Sequence, residues 1–319
     1  MRSPTFFLIC LGIGAVIFGL ARWLGNDYVF FAGYTVLQYI VLATGWNILG
    51  GYTGYVNFGS AAFFALGAYS TVVLHKVLPM PVPAMVLVAA AVSGLVGFGM
   101  GYLTLRLRGA FFAIATLAMA VVLQTLVVNW DFVGGSRGAY IIRPASIAII
   151  DNYIQYLFLI MLALSVIALT AARMIERSRL GYGFATIRDD ELAAEACGVP
   201  TLKLKLIATT LSGALMGMAG APFPYYIGYL QPSSAFGLEY AVNSIAMPMI
   251  GGTTSWVGPL IGAILLGSLQ QIATVTISSA VNLLIVGLLL TGFVIIAPNG
   301  IIGLWQKFFG RRRSQSEEP

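Results

Sequence analysis

Polar and apolar positions along this chain do not alternate at short period. Apolar residues come in long blocks, separated by short charged or glycine-rich breaks. Ten blocks with almost no charge run Phe6–Ala21, Val29–Leu49, Phe58–Leu74, Pro83–Leu105, Ala110–Val128, Tyr153–Ala172, Leu206–Ala221, Tyr240–Ile250, Gly258–Ile277 and Val281–Ile296. About 20 helical residues, each rising about 1.5 Å, cross ~30 Å of hydrocarbon. The blocks are rich in Gly, Ala and Leu and lack period-two alternation, which argues against a β-barrel. They predict an all-α, polytopic transmembrane bundle, because helices satisfy their own backbone groups in lipid. Phe58–Leu74 and Tyr240–Ile250 are short and glycine-flanked, so either can be a re-entrant or half helix, and the expected count is eight to ten spans.

The breaks set the expected orientation. If the N-terminus is cytoplasmic and all ten blocks cross, the inside holds Arg2, Arg106, Arg108, the six basic residues from Arg173 to Lys205, Lys307 and Arg311–Arg313. That is 13 of the 17 Lys and Arg, against Arg22, Lys76, Arg137 and Arg143 outside. The asymmetry predicts that both termini are cytoplasmic. Arg2 followed by an apolar run imitates a secretory leader, but no small-x-small cleavage site precedes Trp23, and a first span is expected.

Composition agrees. Apolar residues make up 59% of 319 and charged residues 9%, against about 25% in soluble domains. The net charge of +6 then reflects topology and an anionic lipid leaflet, with no basic-aromatic pattern to suggest nucleic acid. Cys10 and Cys197 are expected on different levels of the bundle, which disfavours a disulfide or a metal site. The expected organisation is one transmembrane domain over 1–302, including a polar cytoplasmic segment over 173–205, and a short cytoplasmic tail over 303–319. A second polar segment, 129–152, is expected outside.

Two local features bear on mechanism. Gly50-Gly-Tyr-Thr-Gly54 and Gly251-Gly-Thr-Thr-Ser255 resemble each other and are expected on the same side. Paired glycine breaks can mark an internal repeat with broken helices near a transport path; two turns can also simply look alike. Gly97/Gly101, Gly213/Gly217 and Gly258/Gly262 are spaced for close helix packing. The segment 173–205 is longer than an ordinary connector. Asp189, Asp190 and Glu191 suit a helix start, and Gly198 with Pro200 suits its stop, so a short amphipathic helix pair is expected, available to dock a cytoplasmic partner.

Here the sequence resembles a family. The glycine-rich run Gly51–Tyr69, the run Arg106–Ala118 (RLRGAFFAIATLA), Ser178–Gly181 with Ala185–Gly198, and Gly251-Gly-Thr through Gly258-Pro-Leu-Ile-Gly262-Ala are similar, in order, to motifs of LivH/LivM-type permeases of branched-chain amino acid ABC importers. The likeness is closer to the LivM branch. Two details depart from the pattern: Glu191 lies seven residues before Gly198, and Gly251–Ser255 lacks a glycine that the family often has. The resemblance implies a non-catalytic subunit in a bacterial inner membrane. Its partners would be a second LivH-type permease chain, two ATP-binding cassette subunits and a periplasmic substrate-binding protein, within membrane lipid. No lysine here follows a glycine, so a phosphate-binding loop is missing. ATP and Mg would sit on the partner subunits, with no cofactor in this chain. Coupling to the ATPase would fall to Arg188, Asp189, Asp190, Glu191, Ala193, Ala194, Glu195 and Gly198.

Neutral polar residues inside the blocks are candidates for the translocation path: Asn47, Asn57, Thr116, Gln124, Asn243 and Gln270, with Gln38 and Gln271 beside them. An amide in hydrocarbon is unfavourable unless paired, so interhelix hydrogen bonding is the competing role for each. His75, the single histidine, is expected at a membrane boundary, and Glu239 at the start of a block. Asp131, Arg137, Arg143 and Asp151 are candidate contacts for a binding protein, with an ordinary solvated loop the equal alternative. An ion-coupled transporter usually carries mid-membrane acids or histidines as relays, and none is expected here. An enzyme would need a nucleophile, ligands or paired acids in one cavity. The cargo stays open between branched-chain or related hydrophobic amino acids and urea, short-chain amides or another small polar solute.

Overall fold

The computed structural model describes residues 3–276 except 24, 79, 105–106 and 143–151, with isolated positions between 284 and 303. The block Val281–Ile296 and the tail 303–319 lie largely outside the described residues.

Helices dominate. The first five are α1 (Ser3–Trp23), α2 (Asp27–Thr53), α3 (Ser60–Val77), α4 (Val82–Thr104) and α5 (Ala110–Val128). Two 3-10 turns and the two-residue strand β1 (Ala139–Tyr140) lead towards α6 (Tyr153–Glu176). The short helices α7 (Arg179–Asp189) and α8 (Glu191–Ala196) precede α9 (Thr201–Gly220) and α10 (Phe223–Ile227). Strand β2 (Tyr229–Leu230), α11 (Pro232–Ala235), α12 (Leu238–Gly251) and α13 (Val257–Thr276) follow. Among the described residues, eight helices are long and apolar enough to cross a membrane. The chain is therefore a multi-pass membrane protein.

Local chemistry fixes the ends of these helices. Asn26 Oδ1 accepts the Tyr28 amide at 2.9 Å and Asn152 Oδ1 accepts that of Ile154 at 3.2 Å, capping α2 and α6. Gly54 ends α2 at φ 77, a left-handed conformation that favours glycine. The second half of α2 is buried on all sides, enclosed by α6, α9, α12 and α13.

The most extensive seam joins α4 and α9. A Cβ on Gly97 would lie 2.9 Å from the Thr209 carbonyl, and one on Gly213 would lie 2.9 Å from that of Ser93. Across α3, a Cβ on Gly67 would overlap the Gly217 carbonyl at 2.0 Å. Gly258 and Gly262 serve α13 and α12 in the same way, against the carbonyls of Gly252 and Met247. Here a side chain would separate the backbones, and van der Waals contact replaces it.

The two short blocks separate cleanly. Phe58–Leu74 lies in α3, an 18-residue helix that qualifies as a span. Tyr240–Ile250 is α12, which at 14 residues is about 21 Å long, too short to cross. Its contacts give its depth. Ser244 bonds Ser60 at the start of α3, Tyr240 stacks on Phe64, and Phe236 lies against Tyr69 halfway along. The chain from β2 through α11 thus folds back into the bundle before α12 begins beside the middle of α3. β2 also pairs antiparallel with β1, Ala139 opposite Leu230 and Tyr140 opposite Tyr229. The glycine turns after α2 and α12 meet at one end, where a Cβ on Gly51 would lie 2.5 Å from the Thr253 carbonyl.

Candidate functional site

A belt of neutral polar side chains runs through the interior. Gln270 of α13 donates to Asn243 Oδ1 at 2.9 Å, and Asn243 donates to the Tyr39 hydroxyl of α2 at 3.2 Å. Its neighbour Ser244 shares a 2.8 Å bond with Ser60. Ser60 follows the turn over 54–59, where Asn57 Oδ1 accepts the Gly59 amide at 2.7 Å and the Phe58 amide donates to Thr116 Oγ1 of α5 at 3.2 Å. The belt therefore joins four of the expected path residues: Asn57, Thr116, Asn243 and Gln270. Asn47 is also buried, beside Gly51, and among the described residues neither of its amide atoms has a hydrogen-bond partner within bonding geometry. Gln124 is only half-buried on α5 and stands apart. Gln38 bonds the Ala219 carbonyl at 3.3 Å. A cleft of about 290 Å³ opens beside the turn, lined by Tyr55, Val56, Phe58 and the start of α5.

The second feature is the α7–α8 segment. Asp190 caps α8, accepting the amides of Leu192 and Ala193 at 2.9 and 3.0 Å. Gly198, at φ +81, turns the chain towards Pro200 and α9. Arg188, Asp189, Ala193 and Glu195 lie on the outside, as do the apolar Tyr182 and Leu192, 71% and 64% exposed. Ala194 and Glu191 point the other way. Ala194 is buried, and the Glu191 carboxylate accepts from the Lys205 ammonium at 2.6 Å and from the Tyr55 hydroxyl. Lys205 is itself almost fully enclosed and also meets the Tyr55 hydroxyl at 3.2 Å. Arg108 sits at the rim, 3.7 Å from Glu191 and 3.4 Å from Glu195.

Burial pushes the Glu191 carboxyl up. The hydrogen bonds from Lys205 and Tyr55 and the charges of Lys205 and Arg108 outweigh it and hold the group below its ordinary value. Tyr55 is pushed up, by burial first and then by its bond to Glu191.

At the end of α6, Glu176 plays a parallel part. Its carboxylate accepts the Trp256 amide at 2.7 Å and the Tyr52 hydroxyl at 3.4 Å. Arg173 lies 3.9 Å over the ring of Phe6, beside Trp256. Sequence reasoning did not single out Tyr55, Lys205, Glu176 or Trp256 as members of a site. Lys205, a charge buried five residues into a span, was the available signal. At the opposite end, His75 Nδ1 is 2.9 Å from the Tyr225 hydroxyl, and Asp131 and Arg137 are exposed; Arg143 and Asp151 lie outside the described residues, and Glu239, in the first turn of α12, is exposed beside the middle of α3. Among the described residues, no cluster of three or more His, Cys, Asp or Glu could hold a metal ion.

A polar belt sealed inside an apolar multi-span bundle, with an ordered segment projecting from one end, defines a membrane transport component. Residues 28–297 match the family described as branched-chain amino acid transport system, permease component, and the chain belongs to that family. It is 27% identical to the high-affinity branched-chain amino acid transport system permease protein LivM of Salmonella typhimurium, over 83% of this chain and 67% of that protein. It is 24% identical to the permease protein BraD of Pseudomonas aeruginosa, over 83% of this chain and 91% of the other. The LivH permease of Salmonella typhimurium is also 24% identical over the same shares. No solved structure matches the chain significantly.

Proposed function

We propose that this chain is the non-catalytic, membrane-spanning subunit of an ATP-driven importer in a bacterial inner membrane, carrying branched-chain or related hydrophobic amino acids. Two ATP-binding cassette subunits hold the ATP and Mg, a LivH-type permease chain completes the pathway, and a periplasmic binding protein delivers the cargo. The supporting observation is the α7–α8 segment, which exposes Tyr182 and Leu192 among charged residues at the end of an otherwise apolar bundle. Exposed apolar side chains rimmed by charge suit a protein partner. Family membership and the Liv and Bra relatives support the cargo class. In this reading α7–α8 faces the cytoplasm and the 129–142 loop faces outward.

Reconstitution with the partner subunits tests it. Leucine uptake should require ATP, stop with vanadate and ignore a proton ionophore. Uptake that follows an ion gradient without ATP would overturn the reading, and ATP-driven uptake of urea but not leucine would reassign the cargo. In a Cys197→Ser background, Ser136→Cys and Thr186→Cys should label from opposite faces of the membrane; labelling from one face would reverse or break the orientation.

A further inference from the structure

The two glycine turns lie at the same end as α7–α8, and each is held to that segment's borders by a carboxylate. Glu191, the first residue of α8, grips the turn over 54–59 through Tyr55 and the enclosed Lys205. The stem of Arg188, at the end of α7, packs against Gly54 of the same turn. Glu176, the last residue of α6 before α7, grips the other turn through the Trp256 amide. The turns also touch one another at Gly51 and Thr253.

We infer that Glu191 and Glu176 are positioning residues that carry movement of the α7–α8 segment to the glycine turns and, through them, to the interior polar belt. The inference rests on the reading that α7–α8 docks an ATP-hydrolysing partner. Small apolar contacts can slide past each other; a buried ion pair resists this, since displacing Glu191 alone would take the enclosed Lys205 ammonium from its carboxylate. The turn over 54–59 is in turn continuous with the belt. Its Asn57 carbonyl accepts from Trp46 of α2 at 2.9 Å, its Phe58 amide holds Thr116 of α5, and Ser60 just beyond it holds Ser244 of α12. The cleft beside Tyr55 and Val56 leaves this turn room to shift. The other turn joins α12 to α13, which carry Asn243 and Gln270. A displacement at one end of the molecule thus reaches every helix of the belt through side-chain hydrogen bonds.

The test uses the whole complex in proteoliposomes, in a Cys197→Ser background carrying Val56→Cys as a reporter. Wild-type tethers should give a Val56→Cys labelling rate that changes between nucleotide-free and vanadate-trapped states. Glu191→Gln should keep the ATPase subunits in pull-down and keep basal hydrolysis. It should lower uptake about tenfold, within the usual range for coupling between sites, and erase the nucleotide-dependent change in labelling. Glu176→Gln should act in the same direction. Tyr55→Phe, which loses only the hydroxyl, keeps the test decisive if the Glu191→Gln permease fails to fold in the membrane. Normal uptake and a normal labelling change in these variants would overturn the tether alone. Loss of the ATPase from Glu191→Gln would make that carboxylate a docking contact instead and overturn it too. A wild-type complex without ATP-driven uptake would overturn the docking reading and the tether with it.

Discussion

The α4–α9 seam and the Tyr55–Glu191–Lys205 cluster hold the bundle together by opposite means. The seam is built on glycines: Gly94, Gly97, Gly213 and Gly217 let the two helices approach closely, and its weak contacts count by number. The cluster has three polar side chains in a mostly buried site, joined to one another by hydrogen bonds. The difference teaches where each region is vulnerable. Added volume should break the seam, which is indifferent to charge and pH. Lost charge should break the cluster, which tolerates changes of shape better.

Lys205→Met should have the largest effect. It leaves the mostly buried Glu191 with only Tyr55 and the half-exposed Arg108, a loss of at most about 3–5 kcal/mol, to be read as a lowered unfolding temperature in detergent. Glu191→Gln added to Lys205→Met should recover much of the loss; failure to recover would mean that Lys205 acts through packing. Gly217→Ala should come next, at about 1–3 kcal/mol, because its methyl must displace the Ser93 side chain and the Ala89 carbonyl of α4. An unchanged unfolding temperature would show that the seam is looser than its geometry.

A third, smaller effect separates the regions by pH. The folded Glu191 carboxyl sits below its ordinary value, so the stability it contributes is fully present above the ordinary carboxylate range. It is lost as pH falls from about 4.3, the unfolded value, through the lower folded value. Unfolding temperatures measured from neutral to acid pH should fall more steeply for wild type than for Glu191→Gln, while Gly217→Ala should keep the wild-type slope. The smallest effect belongs to Arg108→Ala. Its pair with Glu195 is about half exposed on both sides, so the expected change is about 0–1 kcal/mol. A larger loss would extend the cluster to its rim.

The long spans were legible because a lipid solvent imposes one rule on some 20 residues at a time. Tyr240–Ile250 was legible as too short, but not its depth. That depends on residues 228–237 folding back against α3, which no local pattern encodes. The amides Asn57, Asn243 and Gln270 stood out as costly in hydrocarbon. Ser60 and Ser244 did not, because a hydroxyl can satisfy itself on its own helix, as Ser244 does on the Ala241 carbonyl. The α7–α8 pair was legible from its acidic start and glycine stop, yet the direction of each acid was not. Glu191 and Glu195 are one turn apart on a short helix. Glu191 turns inward because Lys205 lies 14 residues ahead and Tyr55 136 residues behind, the second a separation that only the tertiary fold closes.

The half helix α12 also constrains how the protein is made. A segment of 14 residues, with Pro248 in its last turn, is a poor candidate for insertion into a bilayer by itself. The irregular backbone that leads into it is tolerable at membrane depth only when protein surrounds it. Biogenesis must therefore be ordered: α2 and α3, synthesised some 200 residues earlier, have to stand in the membrane before α12 can find its place against Tyr39 and Ser60.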